Sequence, residues 1–166
     1  MKKYIGTKII KAKPGTMAEA QALRGGMSIE QAKVMFRNSG TVDKDGYVVQ
    51  YEDGYVSWSP KEAFENAYRQ CDNMTFGLAL EALKKGYKVA RKGWNGDFMF
   101  IYIQDESRCY TEDLRNSALK DYCKDRVIQH VKINPHIDMK AADGSIVIGW
   151  LASQTDMLAE DWVIVE

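Results

Sequence analysis

MTFGLALEALKKGYKVARKGWNG, residues 74–96, reads as one amphipathic helix, a glycine stop, a short strand and a glycine-flanked turn. Thr75 is placed to cap the helix, because its hydroxyl can accept from a first-turn backbone N–H. Phe76, Ala79, Leu80 and Leu83 fall at i, i+3, i+4 and i+7, one apolar stripe facing a core. Gly86 suits the left-handed conformation that ends such a helix, after two lysines that complement its C-terminal dipole. Tyr87–Arg91 then reads as a strand. Gly93-Trp94-Asn95-Gly96 reads as a turn displaying a large aromatic and an amide where packing gives no evident reason for them.

Downstream, Phe98–Ile103 is apolar on both alternating faces and predicts a strand inside a sheet. Between Asp105 and Arg126 the pattern becomes charged and weakly amphipathic. Thr111 followed by Glu112 and Asp113 reads as a helix start with Leu114, Ala118 and Tyr122 on one side, so a helical insertion near 105–127 is expected on the rim. Val131–Lys140 returns to strict alternation as one strand, and Pro135, which cannot donate to a ladder, assigns it to an edge or a bulge. Asp143-Gly144 turns the chain into Ser145–Trp150. In the segment LASQTDMLAEDW that follows, Ser153 caps and Asp156 sits at the third helical position, giving a single helical turn before the last strand, Trp162–Val165.

Upstream, Tyr4–Lys13 reads as a first strand ended by Pro14-Gly15. Thr16 with Glu19, and Ser28 with Gln31, match the capping-box spacing and predict two short helices, the second with Ile29, Ala32 and Phe36 inward. Asp45-Gly46 and Asp53-Gly54 are turn signals around a hairpin of Tyr47–Tyr51 and Tyr55–Trp58. Ser59-Pro60-Lys61-Glu62 combines an N-cap serine, a first-turn proline and an acidic third residue. The helix it opens would bury Phe64, Ala67, Tyr68 and Cys71. The fold class is therefore α+β. A small α+β unit over residues 1–72 precedes a mixed or antiparallel sheet packed on one helix over residues 74–166.

Composition narrows the function classes. Lys+Arg and Asp+Glu both number 23, with 11 basic against 9 acidic residues up to Asn73 and 12 against 14 beyond it. No net field holds a nucleic-acid polymer or an anionic membrane, whereas a small anionic ligand needs only local donors. The start MKKYIGTKIIKAK lacks the apolar core of a signal peptide, and no run reaches membrane-spanning length. Three cysteines without CxxC spacing argue against a disulfide framework or zinc knuckle, and the expected compartment is a reducing cytoplasm.

No P-loop, GxGxxG after a strand, HExxH or nucleophile elbow is present. His136 and Asp138 share one strand face, where two metal ligands or a solvated polar face would look alike. Cys109 and Cys123 flank the expected insertion helix and are the thiols a nucleophile role would use, against the reading of plain structural cysteines. Three features instead suit a small polar aromatic ligand. Trp94 and Asn95 combine a ring that stacks on a base with an amide that pairs with its edge. Trp150 precedes Ser153-Gln154-Thr155-Asp156, where backbone N–H groups favour phosphate and Asp156 can accept from ribose hydroxyls. Arg91 and Lys92 beside the turn could meet phosphates. The bland alternatives are a plain capping motif, tryptophans packed in a core or subunit interface, and a solvated charge pair.

The blocks Thr75–Leu80, Arg91–Asn95, Asn134–Gly144 and Trp150–Trp162 together resemble the second Thoeris anti-defence family of phage proteins. The resemblance implies a small oligomeric sponge without cofactor. It would hold, uncleaved, cyclic ADP-ribose-type signals made by the host's TIR proteins, and in some members cyclic dinucleotides, between subunits of a dimer or tetramer. Carried onto this sequence, the implied contacts are Phe76, Trp94, Asn95, Trp150, Ser153, Thr155 and Asp156, beside the candidate Arg91. The implied setting is the cytoplasm of an infected bacterial cell. The family's minimal form has a loop where this chain has Glu106–Arg126, and Tyr4–Arg69 lies outside that form. Two other readings stay open: an enzyme using His136 and Asp138 on the same nucleotide, and a scaffold protein with both tryptophans buried in an interface.

Overall fold

The computed structural model describes Lys2, residues 7–40 and residues 42–166, so the start of the expected first strand, Tyr4–Gly6, lies outside the described residues. The chain divides into two compact units, residues 1–69 and 70–166. The first contains β1 (Lys11–Thr16), α1 (Met17–Gly25), α2 (Ile29–Phe36), β2 (Asp45–Gln50), β3 (Val56–Pro60) and α3 (Lys61–Ala67), its antiparallel sheet ordered β1-β2-β3. Thr16 and Ser28 cap α1 and α2 as their spacing predicts, Ser28 with a full capping box.

Several expectations for this unit fail for local reasons. Pro14 and Gly15 lie within β1, opposite Tyr47 and Gly46, because an edge strand leaves one side free of ladder bonds. Asp45-Gly46 opens β2 instead of turning. A Cβ on Gly46 would stand 2.2 Å from the Ser59 carbonyl oxygen, so glycine there serves close strand approach. Ser59 pairs with Tyr47 inside β3, and α3 starts after Pro60 with no side-chain cap. No residue of α3 is buried; Phe64 stacks between Tyr47 and Tyr68 at 4.0 and 4.8 Å, while Ala67 and Cys71 are exposed. Ile29 is 41% exposed, leaving Ala32 and Phe36 as the inward face of α2. The Cys71 carbonyl accepts from Ile164 N, which ties it to the second unit.

That unit contains α4 (Phe76–Lys84), β4 (Lys88–Arg91), β5 (Phe100–Gln104), β6 (Ser107–Tyr110), α5 (Ser117–Asp125), β7 (His130–Ile133), β8 (His136–Lys140), β9 (Ile146–Val147), α6 (Gln154–Met157) and β10 (Trp162–Val165). Its main sheet runs β10-β4-β5-β8-β9, antiparallel throughout. Register lines up Ile164, Val89, Ile101, Met139 and Val147 across the five strands. Ala79, Ala82 and Leu83 of α4 share one core with Val89, Ile101, Met139 and Trp162. Thr75 caps α4 by accepting from Leu78 N, and Gly86 follows at φ +87°. Met74 and Trp162 exchange backbone bonds, fastening the start of α4 to the start of β10.

The region after β5 differs most from expectation. Val131–Lys140 is two strands split at Asn134-Pro135, and its second half is internal to the sheet. Gln104 pairs with His136, and Ser107 with Ile133, so β6 and β7 continue the β5–β8 register past the interruption. Residues 105–133 therefore form a two-stranded arm extending that hairpin, with α5 between its strands in sequence. Thr111–Asp113 forms only a 3₁₀ turn. Leu114 is extended, and Asn116 caps α5 by accepting from Leu119 N. Cys123 is the buried residue of α5, whereas Ala118 and Tyr122 are exposed. Among the described residues, no helix is long and apolar enough to cross a membrane.

Candidate functional site

Arg91 ends β4 directly opposite Trp162, which opens β10, and this pairing sets the site. Arg91 Nε donates to Asp161 Oδ1 at 2.8 Å, and Nη2 reaches Asp161 Oδ2 at 3.4 Å. Its Nη1 donates to Asp156 Oδ1 at 2.9 Å. The following turn hangs on the same two carboxylates. Gly93 N donates to Asp161 Oδ2 at 2.8 Å, and Trp94 Nε1 donates to Asp156 Oδ1 at 3.1 Å. From the other side, Ser153 N and Oγ donate to Asp156 Oδ2 at 3.1 and 2.7 Å, completing the capping box of α6. Asp156 thus accepts four hydrogen bonds, the number its two oxygens can hold.

Asp156 is 8% exposed, yet it is held ionised. Burial pushes its carboxyl up, but the bonds from Ser153, Arg91 and Trp94 outweigh burial and bring it to about 2. The bond from Arg91 likewise holds Asp161 below the usual carboxylate range. Around this ionic corner stand three indoles. Trp94 and Trp150 meet the buried Trp162 edge-on at 5.4 and 6.2 Å and each other at 6.1 Å, a favoured aromatic geometry. Phe76 adds a fourth ring at 5.5 Å from Trp162, whose Nε1 donates to the Asp156 carbonyl. Trp94 and Trp150 remain half-buried.

Of the residues singled out by sequence, the structure joins Phe76, Arg91, Trp94, Trp150, Ser153 and Asp156 in one cluster. Asn95 and Thr155 are exposed beside Trp94 and Asp156 in the chain. Arg91 and Asp156 hold each other, so the guanidinium expected to meet phosphate and the carboxylate expected to meet hydroxyls both stabilise the site's frame. Sequence reasoning missed Asp161 and Trp162. The signal available was an Asp-Trp pair opening the last strand, with a predicted strand ending in arginine as its pairing partner. Lys92 reaches Asn73 at 3.2 Å and Asp72 at 3.7 Å on the surface.

His136 and Asp138 do meet on β8. His136 Nε2 lies 3.4 Å from Asp138 Oδ1, while Nδ1 donates to the Asn134 carbonyl at 2.8 Å. Asp138 also accepts from Gly149 N at 3.0 Å. Through Asp138 and Gly149 N this pair braces the β8–β9 hairpin. Among the described residues no group of three or more His, Cys, Asp or Glu side chains is arranged to hold a metal ion.

Residues 74–165 match the Thoeris anti-defense 2-like domain. The protein Thoeris anti-defense 2 of Bacillus phage SP01 is 41% identical over 92 residues, which cover 55% of this chain and 94% of that protein. The matched stretch contains the whole cluster around Asp156 and Trp162. The chain belongs to the Thoeris anti-defense 2-like family.

Proposed function

We propose that this protein binds and sequesters a cyclic nucleotide immune signal without turning it over. Cyclic ADP-ribose isomers are the first candidates and cyclic dinucleotides the second. Family membership supports a phage anti-defence role, exercised inside the infected bacterial cell. The observation that carries the ligand class is the pair of half-buried indoles, Trp94 and Trp150, fixed over Trp162 and the Asp156–Arg91 pair. Stacking on such rings contributes about 1–3 kcal/mol per base, and rings locked before binding lose little conformational freedom on capture. Asn95 and Thr155, exposed next to this frame, supply polar groups for base edges and hydroxyls.

Self-association belongs to the same proposal. Ile146, Val147 and Ile148 are exposed on and beside the edge strand β9, as is Leu151 at 89%, and these residues flank Trp150 in sequence. A second copy covering this apolar run would close over Trp150 and put the ligand between subunits of a dimer or tetramer. The test is incubation with a panel of cyclic ADP-ribose isomers and cyclic dinucleotides, followed by filtration. Chromatography and mass spectrometry are then applied to the filtrate and to the heat-released fraction. Signal lost from the filtrate and recovered intact supports sequestration, and Trp94→Ala should weaken its retention at least tenfold. Recovery as a cleaved product would replace this reading with an enzyme, and free signal throughout the panel would remove the nucleotide reading.

A further inference from the structure

The arm built from β6, α5 and β7 carries a hollow of about 450 Å³ near its tip, well away in sequence from the tryptophan cluster. Its frame is fixed by backbone bonds: Thr111 N donates to the Gln129 carbonyl, and Val127 N and Ile128 N donate to the Lys124 and Cys123 carbonyls. The last two form the paired bonds that close a helix through a left-handed residue, a place where glycine is preferred. Val127 stands there instead at φ +55° with 83% of its surface exposed. A β-branched residue in that conformation is a true outlier, and so open a side chain gains little from the fold in return.

The lining gives the hollow a defined chemistry. Tyr110, 55% exposed, forms an aromatic wall and is backed by the His130 ring at 4.5 Å. Val127 and Ile128 add aliphatic surface. Glu112 and Lys124 bring opposite charges to the same hollow; they form no ion pair with each other, and neither side chain has another partner among the described residues. Two opposite charges left unneutralised around an apolar, aromatic space suit a molecule that carries both charges itself.

We propose that this hollow binds a small amphoteric molecule with an apolar or aromatic body, the chemical class of free apolar amino acids and short apolar peptides with both termini free. The ammonium would face Glu112, the carboxylate Lys124, and the side chain would lie against Tyr110 and Val127. The volume is within the range of small-molecule sites. This site is independent of the nucleotide reading, so either can fail alone.

The experiment is a titration of the full chain, methyl-labelled at valine and isoleucine, with L-phenylalanine, L-tryptophan and L-phenylalanyl-L-leucine, alongside phenethylamine and 3-phenylpropionate. Saturable shifts of the Val127 and Ile128 methyls at millimolar concentrations are expected for the amphoteric probes, with the singly charged analogues at least about threefold weaker. Tyr110→Ala should abolish the shifts, and Glu112→Gln and Lys124→Gln should each weaken binding about threefold. Val127→Gly suits the backbone there and keeps the variant folded, yet it should weaken binding. Unsaturated or absent shifts with every probe would overturn the proposal. So would equal binding by the singly charged analogues, or binding that survives Tyr110→Ala.

Discussion

Around Asp156 each charged group has a partner. The carboxylate accepts from Arg91, Trp94 and Ser153, and Arg91 lies between Asp156 and Asp161. At the arm tip, by contrast, Glu112 and Lys124 line one hollow unpaired, and a valine occupies a glycine position. The first region follows the rule that buried charge must be fully hydrogen-bonded, and the result is a rigid seat for two indoles. The second breaks local rules without gain to the fold, the pattern expected where a surface is kept for what it meets. The two should therefore respond oppositely to perturbation.

The largest effect is expected from Asp156→Ala. It leaves Arg91, nearly buried, with one carboxylate instead of two, strands Trp94 Nε1 and removes half of the α6 capping box. Removing one partner of a buried pair costs about 3–5 kcal/mol. Denaturant unfolding followed by tryptophan fluorescence should show a loss of that size for the second unit, against about 0.5 kcal/mol or less for Lys124→Ala. Equal effects at the two sites would erase the contrast.

Acid should act on the first region next. The folded carboxyl of Asp156, at about 2, lies below its ordinary value of 3.8, so between these values the unfolded chain binds the extra proton. Its contribution is fully present above about pH 4 and is lost as pH falls to about 2, a loss of about 2 kcal/mol. Asp161 is shifted the same way and adds to it. Urea midpoints between pH 5 and pH 2 measure this, and a midpoint unchanged in Asp156→Asn relative to the parent across that range would contradict it. A smaller loss, about 1 kcal/mol, is expected for Ser153→Ala, which removes the α6 cap but leaves the Arg91 bridge.

Much of the first region was legible in the chain because its signals are local. Thr75, Gly86, the Asp143-Gly144 turn and the Ser153–Asp156 box act over three or four residues, and each forms as its spacing predicts. The tryptophans and Asp156 were legible as a group, but the bond between Arg91 and Asp156 was not. It spans 65 positions and arises only when β4 and β10 pair. The arm was misread for a related reason. Alternation through Val131–Lys140 is real and keeps register, but only the missing N–H of Pro135 hints that the ladder is interrupted there. The exposed Tyr122 and buried Cys123 go with a helix that begins after Asn116: Leu114 lies outside it in extended backbone, so the face it was to complete with Ala118 and Tyr122 does not form, and the helix packs through Cys123 instead.

Val127→Gly has the smallest expected effect and the opposite sign. Holding a β-branched residue in the left-handed region costs about 1–2 kcal/mol. Glycine removes that strain but gives the unfolded chain more freedom, an offset of about 0.5–1 kcal/mol. The lost side chain was 83% exposed, so little burial is forfeited. The bonds Val127 N to Lys124 O and Ile128 N to Cys123 O persist unchanged. The net gain is then a few tenths to about 1 kcal/mol, read as slower hydrogen exchange at those two amides with the Asp156 region unaffected. A destabilised arm would mean that Val127 packs within the fold after all, and the contrast between the two regions would shrink to charge alone. A stabilised arm that has lost affinity for amphoteric probes would mean that the valine is kept for the ligand, at the fold's expense.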